Sequence, residues 1–145
     1  MPNSFTQLYI HFVWATWDRM PLISQEREER LHACILSECE ALRCQPLAIG
    51  GIEDHVHVLV RMRASVSVAE LAQQMKGASS HFVNHEMPGE MAFRWQGGYG
   101  ALSVSNSHVK RVVRYIRNQK RHHTEQKLWP VLESSSTSGD SDSAG

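Results

Sequence analysis

The chain has 145 residues, 41% of them apolar and 21% charged, which suits one domain with a two-layer core and is too short for two ordinary domains. Its formal net charge of zero excludes indiscriminate, purely electrostatic binding to nucleic acid, though not a local basic surface. Apolar runs such as LAIGGI and VHVLV fall far short of the roughly 20 residues that span a bilayer, and the N-terminus lacks the pattern of an export signal, so the expectation is a cytoplasmic protein without a membrane partner.

FTQLYIHFVWAT, residues 5–16, is aromatic and β-branched with imperfect alternation, which predicts a first strand covered on much of both faces. Pro21 and Ser24 introduce a helix in which Ser24 is the N-cap, Glu26 suits the first turn, and Leu31, Cys34, Ile35, Cys39 and Leu42 form the apolar stripe. Cys34, Cys39 and Cys44 recur every five residues, not in the CxxC spacing of a zinc or redox site, and are expected as free thiols on that helix. LAIGGI and DHVHVLVRM predict two strands around a turn near Glu53 and Asp54. Ser67-Val68-Ala69-Glu70 matches a capping box, and Leu71, Met75, Ala78 and Phe82 continue it as a second helix to about residue 86. After the loop MPGEMAFRWQGGYG and a short strand, YGALSVS, Ser105 or Asn106 caps a third helix that buries Val109, Val112, Val113 and Ile116 and runs to about His123. This order predicts an α+β fold: a ferredoxin-like sheet with helices on one face plus a C-terminal helix. Residues 1–130 form the expected domain, and the Ser-rich tail, 131–145, is expected to be disordered.

Two groups of residues suggest chemistry. His55-Val56-His57 lies on a predicted strand, where a two-residue repeat points both imidazoles to one face; such a pair either binds a divalent cation or is simply two solvent-facing or core-edge histidines. Asp54 beside it either orients a ligand or shapes the turn. Tyr115 and Gln119, four apart on the third helix, share a face expected to be held out toward a groove. A tyrosine with an ordinary pKa near 10 needs a metal, cation or base before it attacks as a nucleophile; otherwise Tyr115 is a core-edge aromatic on a basic helix. Taken together, the helix supplies a nucleophile and an oxygen ligand, Gln119, to a cation held by His55 and His57. That combination favours magnesium or manganese, although zinc also satisfies the ligands alone. The same helix carries Lys110, Arg111, Arg114, Arg117, Lys120 and Arg121 without an acidic residue, and Lys76 on the second helix is a further candidate phosphate contact.

The segments YIHFVWATWDR, GGIEDHVHVLV, QQMKGASS, FRWQGGYGALSVS and VVRYIRNQKRHH, in that order over residues 7–123, make the chain resemble the single-tyrosine transposases of the His-hydrophobe-His endonuclease superfamily, the insertion-sequence and repeat-associated type. The resemblance implies that His55, His57 and Gln119 bind the metal and that Tyr115 forms a 5′-phosphotyrosine link. It also implies a substrate of single-stranded DNA with imperfect hairpins, and a homodimer with composite active sites. Thr16-Trp17-Asp18-Arg19 departs from the family's Thr-Lys-x-Arg segment, so a cation usual there is missing, and the chain beyond the His122-His123 pair has room for little more than a short helical extension. A noncatalytic DNA-binding repressor derived from the same fold is the alternative function, and a nuclease using metal-activated water is a third.

Overall fold

In the computed structural model, which describes residues 4–120, the first apolar run forms β1 (Leu8–Ala15) and takes a central place in a four-stranded sheet. A strand paired on both edges and covered on both faces must be apolar almost throughout, and every residue from 11 to 15 is buried. The sheet is completed by β2 (Gln45–Ile52), β3 (His55–Met62) and β4 (Gly100–Val104), ordered β2-β3-β1-β4 with all neighbours antiparallel. Helix α1 (Gln25–Ala41) links β1 to β2, and α2 (Val68–Glu86) links β3 to β4. These are two split strand-helix-strand units, the ferredoxin-like α+β arrangement expected. Both helices start on the expected caps: Ser24 Oγ accepts from Arg27 N at 3.3 Å, and Ser67 Oγ from Glu70 N at 3.0 Å. Loss of one such cap costs about 1 kcal/mol.

The alternation of the strands divides the interior into two clusters. Phe12, Trp14, Val56, Val58 and Val60 face α1 and α2, where they pack against Leu31, Ile35, Leu71, Met75 and Phe93. Full burial of each such side chain contributes roughly 1.5–3 kcal/mol. On the opposite face Tyr9, Ala48 and Leu59 meet α3 (Val109–Arg117) through Val112, Tyr115 and Ile116. Gly50 on β2 makes that close approach possible, because a Cβ there would stand 2.2 Å from the carbonyl oxygen of Ile116.

The third helix begins as a short 3-10 turn, Asn106–His108, and becomes α-helical at Val109. Cys34 and Cys39 lie on α1, whereas Cys44 lies beyond its end, and all three are free thiols. Arg121, His122, His123 and the Ser-rich tail fall outside the described residues. Among those described, no helix is long and apolar enough to cross a membrane.

Candidate active site

His55, His57 and Leu59 occupy the alternate positions of β3 that face α3, and His57 sits between Val13 of β1 and Gly50 of β2. Tyr115 presents its ring edge-on to His57, with centroids 5.8 Å apart and planes at 83°. One turn later, just past the end of α3, Gln119 Oε1 lies 3.1 Å from His55 Nε2. Asn118 ends the helix by donating from both its backbone N and its Nδ2 to Arg114 O, at 3.1 and 2.9 Å. The fold therefore brings together the four residues singled out from two distant segments. It does so at a depth the sequence reading did not anticipate: His57 is 0%, Tyr115 1%, Gln119 1% and His55 2% exposed. Rather than lining an open groove, Tyr115 and Gln119 continue the buried row of Val112 and Ile116, since positions 112, 115, 116 and 119 recur at helical spacing.

Each histidine is oriented by a partner of its own. The Asp54 carboxylate accepts from His55 Nδ1 at 2.9 Å and also receives Arg19 Nε at 3.2 Å. Burial pushes the Asp54 carboxyl up, but the hydrogen bond from His55 and the charge of Arg19 outweigh it and hold the group below its ordinary value. Asp54 thus orients a candidate ligand. Arg19 reaches it from a turn in which Asp18 and Arg19 have φ of 54° and 53°, a left-handed conformation costing non-glycine residues about 1–2 kcal/mol each.

His57 Nδ1 lies 2.8 Å from Nε2 of His11, a wholly buried residue of β1 that the motif reading passed over. The available signal was position: His11 interrupts an apolar strand, and the alternation that turns Phe12 and Trp14 toward α1 and α2 turns His11 toward the other face. Its diagonal placement, two residues from the Val13 that directly opposes His57, follows from the β1–β3 register.

Among the described residues, no three His, Cys, Asp or Glu side chains form a group able to hold a metal. The set that converges is two imidazoles and an amide oxygen. His55 Nε2 and Gln119 Oε1, 3.1 Å apart, hydrogen-bond when Nε2 carries a proton; in the tautomer whose only proton is on Nδ1, toward Asp54, the two would be lone-pair donors able to share a cation.

The basic residues separate into three environments. Arg111, Arg114 and Arg117 are exposed on the outer side of α3. Lys120 pairs with Glu28 of α1 and donates to Gly51 O at 3.3 Å. Lys76 lies on α2, across the sheet, where its ammonium donates to Gln96 O at 2.9 Å and Gly98 O at 2.7 Å. Trp17, which stands where the resemblance leads one to expect a cation, has the Arg94 guanidinium 4.1 Å from its ring centre. A positive charge thus reaches that position from another segment.

Residues 4–119 match the family described as "Transposase IS200 like". Among solved structures, the chain is similar to a candidate transposase from Deinococcus radiodurans R1, with a TM-score of 0.67 and 22% identity over 82% of this chain and 95% of that one. It is also similar to a REP-associated tyrosine transposase bound to a REP hairpin, with a TM-score of 0.63 and 12% identity over 90% of this chain and 79% of that one. No curated protein matches. At these identities the structural likenesses establish the fold, whereas the family match covers most of the sequence, and the chain belongs to the IS200-like transposase family.

Proposed function

We propose that the chain is a single-stranded DNA transposase that cleaves and rejoins DNA through Tyr115. The observation that carries this reading is the meeting of Tyr115 and Gln119 with His55 and His57 in one buried cluster of a chain that belongs to a transposase family. Tyr115 Oη attacks the phosphorus of a phosphodiester, the bond to the 3′-oxygen breaks, and the 5′ end is retained as a phosphotyrosine. A 3′-hydroxyl later attacks that phosphorus and releases Tyr115, so the bond energy is conserved and no nucleotide cofactor is needed. His55, His57 and Gln119 would hold a magnesium or manganese ion, which supplies charge stabilisation at a phosphate oxygen and at the departing 3′-oxygen. Asp54 and His11 keep the two imidazoles turned toward that position. Because Tyr115 is 1% exposed, this reading requires α3 to shift on the sheet before DNA can reach the hydroxyl.

The substrate we infer is single-stranded DNA with imperfect hairpins, acted on in the cytoplasm; the hairpin in the similar REP-associated structure supports this reading. Arg111, Arg114 and Arg117 on the outside of α3, with Lys120, Arg121 and Lys76, would meet its phosphates. The acting species would be a homodimer with α3 shared between protomers, as the resemblance implies. Within one chain the same contacts already join Tyr115 and Gln119 to the histidines, so mixing His57→Ala with Tyr115→Phe protein decides between the arrangements. Rescue of cleavage in verified heterodimers is expected, and its absence means a site completed within one chain.

The test of the function is a denaturation-resistant adduct between the protein and labelled hairpin DNA, formed with Mg²⁺ or Mn²⁺ and lost with EDTA. DNA binding without any adduct would favour the noncatalytic repressor. Cleavage retained by Tyr115→Phe would favour a nuclease using activated water.

A further inference from the structure

Across the sheet from the histidines, α2 and the loop before β4 form an open cleft of about 460 Å³. That is within the size range of small-molecule sites. Gly77 lies in the middle of α2, where glycine is, proline apart, the poorest helix former. A Cβ on Gly77 would meet no atom within 4 Å, so no packing demand of the described fold calls for glycine there. Gly97, on the loop side of the same cleft, likewise has nothing within 4 Å of a Cβ. Both residues keep clear a space that the protein itself leaves unfilled.

The walls of that space have a definite chemistry. Trp95 and Tyr99 line it as half-buried aromatics. Trp95 is fixed by a hydrogen bond from its Nε1 to Ser79 Oγ at 2.9 Å and by edge-on contacts with Trp14 and Phe93, at centroid distances of 5.6 and 4.8 Å. Arg94 and Lys76 are the cations of the lining, which includes no carboxylate. Gly98, at φ 82°, turns the loop so that its carbonyl meets the Lys76 ammonium. Burial draws the Lys76 pKa down to about 8, which leaves the group mostly charged at neutral pH. Backbone hydrogen bonds link the wall of the cleft to the strand that carries the histidines. Trp17 N donates to Arg94 O at 3.0 Å, and the adjacent Thr16 N donates to Asp54 O at 2.9 Å, so a single turn borders both.

We propose that this cleft binds one unpaired nucleotide of single-stranded DNA, with the base against Trp95 and Tyr99 and the phosphate toward Arg94. Fixed aromatic faces accept any base by stacking, and two cations without a counter-charge favour an anionic backbone. The choice of DNA as the polymer rests on the transposase reading; the cleft and its lining do not.

The test uses the full chain carrying Tyr115→Phe, in EDTA, so that neither cleavage nor metal enters the measurement. The probe is a labelled single-stranded oligonucleotide, compared with the same backbone made abasic and with a free mononucleotide. Gly77→Ala should raise Tm by roughly 2–5 °C, as a relieved helix interior does, while weakening oligonucleotide binding by about tenfold. Gly77→Leu should erase the preference for the base-bearing over the abasic strand, and Arg94→Ala should lower the salt dependence by about one counterion. Stabilisation by Gly77→Ala with binding unchanged would overturn the proposal, as would equal binding of base-bearing and abasic strands by the parent protein. A mononucleotide that binds as tightly as the oligonucleotide would overturn the assignment to a DNA strand. Failure of the transposase reading is seen separately, as absence of the metal-dependent adduct in a protein whose strand binding still responds to Gly77.

Discussion

Val56, Val58 and Val60 of β3 turn toward α1 and α2, while His55, His57 and Leu59 of the same strand turn toward α3. β1 repeats the division, with Phe12 and Trp14 on the first side and His11 and Val13 on the second. One face is a hydrocarbon layer between sheet and two long helices; the other is a layer in which three histidines, a tyrosine and a glutamine are as deeply buried as the valines. Buried polar groups are retained at a cost unless they are hydrogen bonded, and here His57 bonds His11 and His55 bonds Asp54. The first face holds the larger apolar cluster, and the second gives up apolar area to hold the proposed site at fixed geometry.

This division is broken most sharply by Tyr115→Phe. Removal of one oxygen should suppress covalent capture of DNA by at least about 10³-fold, because it deletes the proposed nucleophile. The loss of one buried hydroxyl should cost stability no more than about 1.5 kcal/mol. Gel analysis of adducts and urea unfolding measure the two effects. Phe12→Ala is the converse experiment: truncating a wholly buried aromatic on the α1/α2 face should cost about 3–5 kcal/mol in unfolding free energy. The fraction still folded should capture DNA at the parental rate. Equal loss of rate per folded molecule would show that the faces are not separable.

His11 sharpens the comparison at its boundary, because it stands on the most apolar strand yet belongs to the chemical face. On the proposed metal site, a His57 tautomer with Nδ1–H donating to His11 Nε2 would keep its proton off Nε2, the nitrogen proposed as ligand. His11→Leu should lower Mn²⁺ affinity by about 10–100-fold, and His11→Gln, which keeps an acceptor, should recover much of it. Titration calorimetry of the two variants checks this. A leucine variant that is folded and binds Mn²⁺ as the parent does would remove His11 from the site.

These residues also show what can be read without coordinates. The HVHV alternation and the Tyr115-Gln119 spacing are local, so strand and helix periodicity suffice to put each pair on one face. The caps at Ser24 and Ser67 and the split strand-helix-strand order are legible for the same reason. The β1–β3 register is not local, and without it His11 is one polar residue in an apolar run. Nor does an amphipathic pattern say how closely a helix approaches the sheet. The depth of Tyr115 follows from Gly50, a glycine on β2 that by itself signals only a possible turn or close approach. The use of Lys76 depends on the path of the loop before β4, which glycines at 97 and 98 leave undetermined in the sequence.

The smallest expected effect lies where the two faces meet around the edge strand. His32 on α1 borders a cavity shared with Gly50, Gly51, Gln119 and Lys120, and burial lowers its pKa from 6.5 to about 4, assisted by Lys120 and opposed by Glu28. The folded chain thus keeps His32 neutral down to about pH 4, whereas the unfolded chain takes up the proton near 6.5. The unfolded state binds more protons between these values, so His32 contributes stability that is complete above about pH 6.5 and is lost as pH falls toward 4. Asp54 acts in a separate window: its lowered carboxyl pKa costs stability only below its ordinary value of 3.8. Allowing for partial contact of the imidazole with solvent, the His32 effect should be about 1 kcal/mol. His32→Gln should therefore flatten the fall in Tm between pH 6.5 and 4 relative to the parent chain. Parallel curves for the two proteins over that interval would mean that His32 is solvated and that the junction between α1 and the end of α3 is open.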